Sequence, residues 1–300
     1  MRKVRKQFFL YTKVLALLVL SLLLLASCGA EKNMKKAEKF MAIGEYYDAA
    51  SQYKQAYSKT PPKERDRRGL IAGKMAVCYR KINSTPKAVA AYRNMVRYNK
   101  ATADDRLELG RQLLKNGDYK QAAEQFRVVL DSMPDNVLAR NGLLSAQQAP
   151  VWKKQGSRYT VKRMDVFNSR RAEYSPMLSG DQFDQLYFTS TRNDATGDEL
   201  SGITGTKNGD IFVSQKDDKG KWSKPEVVNG GLNTEADEGA SCLSPDQREM
   251  YLTQCVTDPS YPRYAQIVKS NRSDAAWGKA SSVELTKDTL SCFAHPAVSP

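Results

Sequence analysis

From Glu31 onward the apolar residues fall at helical spacing, and beyond Ala149-Pro150 the period shortens to alternation. The first stretch predicts a helix ending near Gly44, a turn at Gly44-Glu45-Tyr46 and a second helix over 48–59, which Pro61 stops. Ala37, Ala49 and Ala56 stand where two helices must approach closely, and Phe40, Tyr46 and Tyr53 fill the space between them. The arrangement recurs as Ala76, Tyr79, Ala88, Tyr92 and Met95, and again as Gly110, Leu113, Tyr119, Ala122, Phe126, Val129 and Pro134. A further helix over 137–148 would cap the array. In the second half, alternating runs predict strands at 185–190, 210–214, 250–253 and 265–268. These repeat too. Ser175–Ser179 followed by Leu186–Ser190 answers to Ala240–Asp246 followed by Met250–Thr253, and a third copy starts at His295. Leu178 to Leu243 is 65 residues and Leu243 to Val298 is 55, room for four short antiparallel strands per copy.

The extreme N-terminus belongs to neither pattern. Arg2, Lys3, Arg5 and Lys6 precede an apolar run over 14–25 that is too short for a stop-transfer helix and reads as a signal peptide. Leu25-Ala26-Ser27-Cys28 follows directly and resembles the bacterial lipobox, which implies cleavage before Cys28 and lipid on its sulfur. The expected organisation is a leader over 1–27, a helical domain over 28–149, a linker and first strand region over 150–173, and β repeats over 174–300.

Charge sharpens this division. Residues 28–149 hold 23 Lys and Arg against 13 Asp and Glu, whereas 150–300 hold 19 against 20. A basic segment beside a lipid anchor suits anionic headgroups or an acidic protein partner, and export argues against nucleic acid. One histidine in the chain, His295, nearly excludes histidine zinc sites and leaves no triad to assemble. The four cysteines beyond Cys28 match no metal or redox spacing. Asp194, Asp198 and Asp210 lack EF-hand spacing and read as turn acids, and Asp237-Glu238 reads as structural. No catalytic residue, cofactor or metal site is expected.

The helical spacing resembles the tetratricopeptide repeat. Ala49, Ala88 and Ala122 lie 39 and 34 residues apart, which gives three repeats at about 30–62, 69–101 and 103–136. The second is the weakest, because Thr85-Pro86 replaces the Gly-Asp-Tyr turn. In that family the first helix of each repeat lines a groove. Here the groove would present Lys74, Arg80, Lys81, Arg111 and Lys115 to an acidic or C-terminal peptide. The Asn-bearing clamp of chaperone-binding relatives is absent, since Glu38, Val77 and Arg111 occupy those positions.

The β repeats resemble the WD-like propeller unit of TolB-type periplasmic proteins, carried by Leu186-Tyr187-Phe188-Thr189-Ser190, Asp210-Ile211-Phe212, Trp222-Ser223-Lys224-Pro225 and Leu232-Asn233-Thr234 with Asp237-Glu238. Two such blades and the start of a third do not close a ring, so the expectation is the front part of a longer protein. Lipobox, helical repeats and propeller in this order resemble the PorE-type lipoproteins of the type IX secretion system. That resemblance implies a non-enzymatic scaffold facing the periplasm from the outer membrane, with peptidoglycan gripped only by later domains. The rival reading is a propeller-based periplasmic enzyme or ligand receptor whose site lies in missing blades.

The repeat register also sorts the cysteines. Residue 242 should pair roughly with 251, which leaves Cys242 and Cys255 four residues out of register. At about 3.3 Å per residue that offset is about 13 Å, beyond a disulfide's reach. Aligning the third copy on the second puts Cys292 at the position of Asp237, so Cys255–Cys292 is the favoured pair.

Overall fold

The computed structural model describes residues 29–256, 264–274, 276–288 and 291–299. The expected leader and the expected lipidation site, Cys28, lie outside them. Among the described residues no helix is long and apolar enough to cross a membrane. The chain divides into two compact units, the first ending at Tyr159 and also taking in Gly202–Thr204, the second holding the rest.

The first unit is all helix: α1 over 29–42, α2 Tyr46–Lys59, α3 Arg65–Lys81, α4 Thr85–Arg97, α5 Ala103–Asn116, α6 Tyr119–Ser132 and α7 Val137–Gln155. Successive helices pack as antiparallel hairpins around one core. Ala49, Ala88 and Ala122 are fully buried in it, as are Tyr53, Tyr92 and Phe126 at the same 39- and 34-residue intervals. Phe126 shows how tightly the hairpins close. A methyl group at Gly110 on α5 would come within 2.6 Å of its ring, and one at Gly142 on α7 within 2.5 Å, so both helices need a residue without Cβ to seat the aromatic.

Each hairpin turns on one left-handed residue: Gly44 (φ 77°), Asn83 (φ 59°) and Gly117 (φ 83°). Asn tolerates that region because its short polar side chain bonds locally. Asn83-Ser84-Thr85 therefore makes the same turn as Gly44-Glu45-Tyr46, and Pro86, in the first turn of α4, needs no N–H there. The second repeat is as regular as its neighbours in spite of its sequence. Other helix starts are capped by side chains. Thr102 and Asp105 form a reciprocal capping box on α5, and Asn136 accepts from the Ala139 N–H at 2.9 Å on α7.

One boundary differs from expectation. α7 does not stop at Gln148 but runs through Pro150 to Gln155. Pro150 forfeits only the bond to the carbonyl four residues back, and the last turn is exposed, so water can take the place of the lost donor. The outer face of α7 is also less polar than a cap requires, with Val137, Leu138, Leu144, Val151 and Trp152 exposed.

The second unit is two antiparallel meanders. β1 Glu173–Ser179, β2 Gln185–Ser190, β3 Asp210–Gln215 and β4 Glu226–Val227 form the first in sequential order. β5 Asp237–Leu243, β6 Glu249–Val256, β7 Tyr264–Ser273 and β8 Ala276–Trp277 form the second, and β9 Ser281–Ser282 also pairs with β7. Ile211, Leu232, Met250, Leu252 and Trp277 share one apolar core across the two sheets.

The repeat extends to the backbone. The first strand of each sheet carries a bulge, between Tyr174 and Met177 in β1 and between Gly239 and Cys242 in β5. Within the bulges Ser175 (φ 51°) and Ala240 (φ 49°) are left-handed, and His295, at the start of the third copy, has φ 57°. A bulge takes an N–H out of the ladder, and a threonine of the preceding sheet accepts it. The Ala240 N–H donates to Thr189 Oγ1 at 3.1 Å, and the His295 N–H donates to Thr253 Oγ1 at 2.8 Å.

The register expected at Cys242 is observed, since it faces Tyr251, and Cys255 lies within β6 opposite Asp237. The bridge expected between Cys255 and Cys292 is not formed: both are free thiols, as are Cys78 and Cys242. Cys292 is exposed, whereas Cys255 is half-buried, and its thiol is pushed up by burial and then by the charges of Asp237 and Cys292.

Candidate protein-binding face

α3 and α5, the first helices of the second and third repeats, carry the five cations singled out by sequence. Lys74, Lys81, Arg111 and Lys115 are exposed and Arg80 is half-buried. Lys81 and Lys115 are 34 residues apart and so hold the same place in successive repeats. Buried neighbours fix this face from beneath. Cys78 and Tyr79 point into the core, where burial raises the Cys78 thiol to about 11 and also raises the Tyr79 hydroxyl.

The five cations are not equivalent. Glu108 on α5 takes Arg111 at 2.8 Å and Arg80 of α3 at 3.5 Å, so one carboxylate partly neutralises two guanidinium groups and ties the two helices. Arg80 also opposes the effect of burial on the Tyr92 hydroxyl, which is raised on balance. Lys115 Nζ donates to Asn83 Oδ1, the side chain of the left-handed turn residue. Lys81 lies over the Tyr46 ring, 5.8 Å from its centroid. Lys74 has no ion-pair partner among the described residues. Glu108 is the functional residue that sequence reasoning missed. It stands 34 residues after Lys74, so the repeat spacing itself marks it as the residue facing the same way one repeat later.

The acids considered for calcium are not brought together. Asp210 is buried and its Oδ2 accepts from the Thr196 N–H and hydroxyl, both at 2.7 Å. Asp198 lies 3.7 Å from Lys207, and Asp194 is exposed elsewhere on the same β2–β3 loop. Asp237 joins the sheets through its side chain and Glu238 through its backbone, whose N–H donates to the Gly209 carbonyl at 2.8 Å. Asp237 Oδ1 accepts from the Gly209 N–H at 2.7 Å, and Glu238 accepts from the Thr234 N–H at 3.1 Å and from Gln254 Nε2 at 2.8 Å. Burial raises the carboxyls of Asp210, Asp237 and Glu238. Among the described residues no group of three or more His, Cys, Asp or Glu could hold a metal ion.

Helical hairpins that repeat about every 34 residues, with alanines at the crossings and aromatics between them, make the first unit tetratricopeptide-like. No family model matches the chain, and no curated protein matches it. Among solved structures it is similar to the first tetratricopeptide domain of Spaghetti (RPAP3) bound to an HSP90 peptide, with 20% identity over 42% of this chain and 96% of that one and a TM-score of 0.35. It is similar also to the C-terminal tetratricopeptide-containing domain of a Plasmodium falciparum FK506-binding protein, with 18% identity over 44% and 94% and a TM-score of 0.37. The Sgt2 tetratricopeptide domain of Aspergillus fumigatus gives 18% identity over 47% and 91%, with a TM-score of 0.34.

Proposed function

We propose that this protein is a non-enzymatic scaffold that captures an acidic segment of another envelope protein on the α3–α5 face. The observation that carries the reading is the pair of exposed lysines Lys81 and Lys115 at matched places on the first helices of successive repeats, with exposed Lys74 beside them on α3. Arg80 and Arg111 have a second duty in holding Glu108, so the lysines are the residues to test. Changing Lys74, Lys81 and Lys115 together to Glu should weaken capture of an acidic peptide or of a secretion-system partner at least tenfold at low salt. The melting temperature should move little, because exposed charges contribute little to folding. Equal capture by the variant would remove the assignment.

The same proposal sets the scaffold at the periplasmic side of the outer membrane, held by lipid on Cys28, in the manner of the type IX secretion lipoproteins that the order of motifs resembles. Peptidoglycan contact would belong to domains of the family that these residues do not include. A shared bulge, a shared left-handed residue and a shared threonine joint support reading the two meanders as successive blades of a propeller, with 291–299 opening the next. Cys28→Ala should leave a longer, unlipidated precursor missing from the outer-membrane fraction. Mature protein of normal size and location would end the anchor reading.

A further inference from the structure

A cleft of about 680 Å³ opens in the second unit between the segment at 166–171, the loop after β2 and the segment before β4. Its wall carries three arginines and one lysine, Arg170, Arg171, Arg192 and Lys224, against a single acid, Asp194. Val166 is its one apolar aliphatic residue.

These cations differ in how they are held. Arg192 is 8% exposed and locked in place. Its Nε donates to Ser190 Oγ at 3.0 Å, and its Nη2 donates to the Phe167 carbonyl at 2.7 Å and approaches Glu173 at 3.4 Å. Nη1 has no acceptor among the described residues, so one edge of a fixed guanidinium remains for a ligand. Arg171 is oriented by Asn193 Oδ1, 3.3 Å from its Nε. Arg170 and Lys224 are exposed and have no ion-pair partner among the described residues. Glu173 offsets part of the Arg192 charge, which leaves the wall strongly positive.

We propose that this cleft binds a compact, multiply charged phosphate-bearing ligand. Its volume is that of a small-molecule site, about 300–1,000 Å³. Four cations around one acid make it a site for an anion, and planar guanidinium forks match phosphate oxygens two at a time. The phosphate could come from a soluble phosphoanhydride or from a lipid headgroup, since the two present the same oxygens.

Calorimetric titration of the full chain with inorganic pyrophosphate tests the site, beside titration of the double variant Arg170→Gln, Lys224→Gln. Both side chains are exposed, and an unchanged melting temperature would confirm that the variant folds. One-to-one binding that weakens at least tenfold in the variant supports the proposal. Flotation with phosphatidic acid vesicles, against phosphatidylcholine alone, separates the sources. Vesicle capture that pyrophosphate competes away assigns the lipid headgroup, and its absence beside pyrophosphate binding assigns a soluble ligand. No saturable pyrophosphate binding up to several millimolar, binding undiminished in the variant, or oligoglutamate peptide binding that is tighter than pyrophosphate binding and weakens in the same cleft variant would overturn it.

Discussion

In the helical unit the repeat is kept by volume: Tyr53, Tyr92 and Phe126 return at the same intervals and fill the same space against alanine and glycine. In the β unit the joints are kept by hydrogen bonds, through the side chains of Thr189, Thr253 and Asp237 and the backbone of Glu238, most of them buried. Dispersion contacts are individually small, and a packed aromatic gains by making many of them, whereas a buried carboxylate must have each acceptor site met by a donor. The two halves should therefore fail under different insults.

The largest effect is expected in the helices. Phe126→Ala should cost about 3–5 kcal/mol, because Gly110 and Gly142 bring no side chains to collapse into the space, and denaturant unfolding followed by helical circular dichroism will measure it. A loss below about 1 kcal/mol would mean that the ring is not the wedge between α5 and α7. A smaller loss, about 2–3 kcal/mol, is expected for Glu238→Ala in the β unit, since Thr234 and Gln254 would keep buried donors without an acceptor.

That unit should also respond to pH in a direction set by its raised carboxyls. Folded Asp210, Asp237 and Glu238 hold protons that the unfolded chain releases just above the ordinary carboxylate range. Their contribution favours folding at lower pH and is lost as pH rises through their folded values. Melting of the β unit between about pH 5 and 7 should therefore decline with rising pH, and Asp210→Asn should shrink the slope. A slope of the opposite sign would contradict this account of the joints.

The sequence reading recovered most elements because their periods are regular, and β2 at 185–190 coincides with its observed strand. What it missed has physical causes. Asn83 was overlooked because the turn was sought as glycine, although the requirement is a left-handed backbone, which asparagine also meets. Pro150 was taken as a stop, but near an exposed helix end it removes one bond and no more. Arg170 and Arg171 fell in a stretch taken as linker, and Arg192 and Lys224 lie far along the chain, so their cleft exists only once β2 and β3 have turned back. The five cations on α3 and α5 can be named from the repeat alone, but the carboxylate that joins two of them comes from the next repeat and needs the packing of α5 on α3 to be seen.

The left-handed residue at each sheet joint has a practical consequence. At the second joint it is His295, and the chain contains no other histidine. The two carbon-bound imidazole protons of this protein thus report a single site, the seam where the segment at 291–299 meets Thr253. Whatever seats, strains or releases that segment can be followed by proton resonance in the unlabelled, unaltered chain.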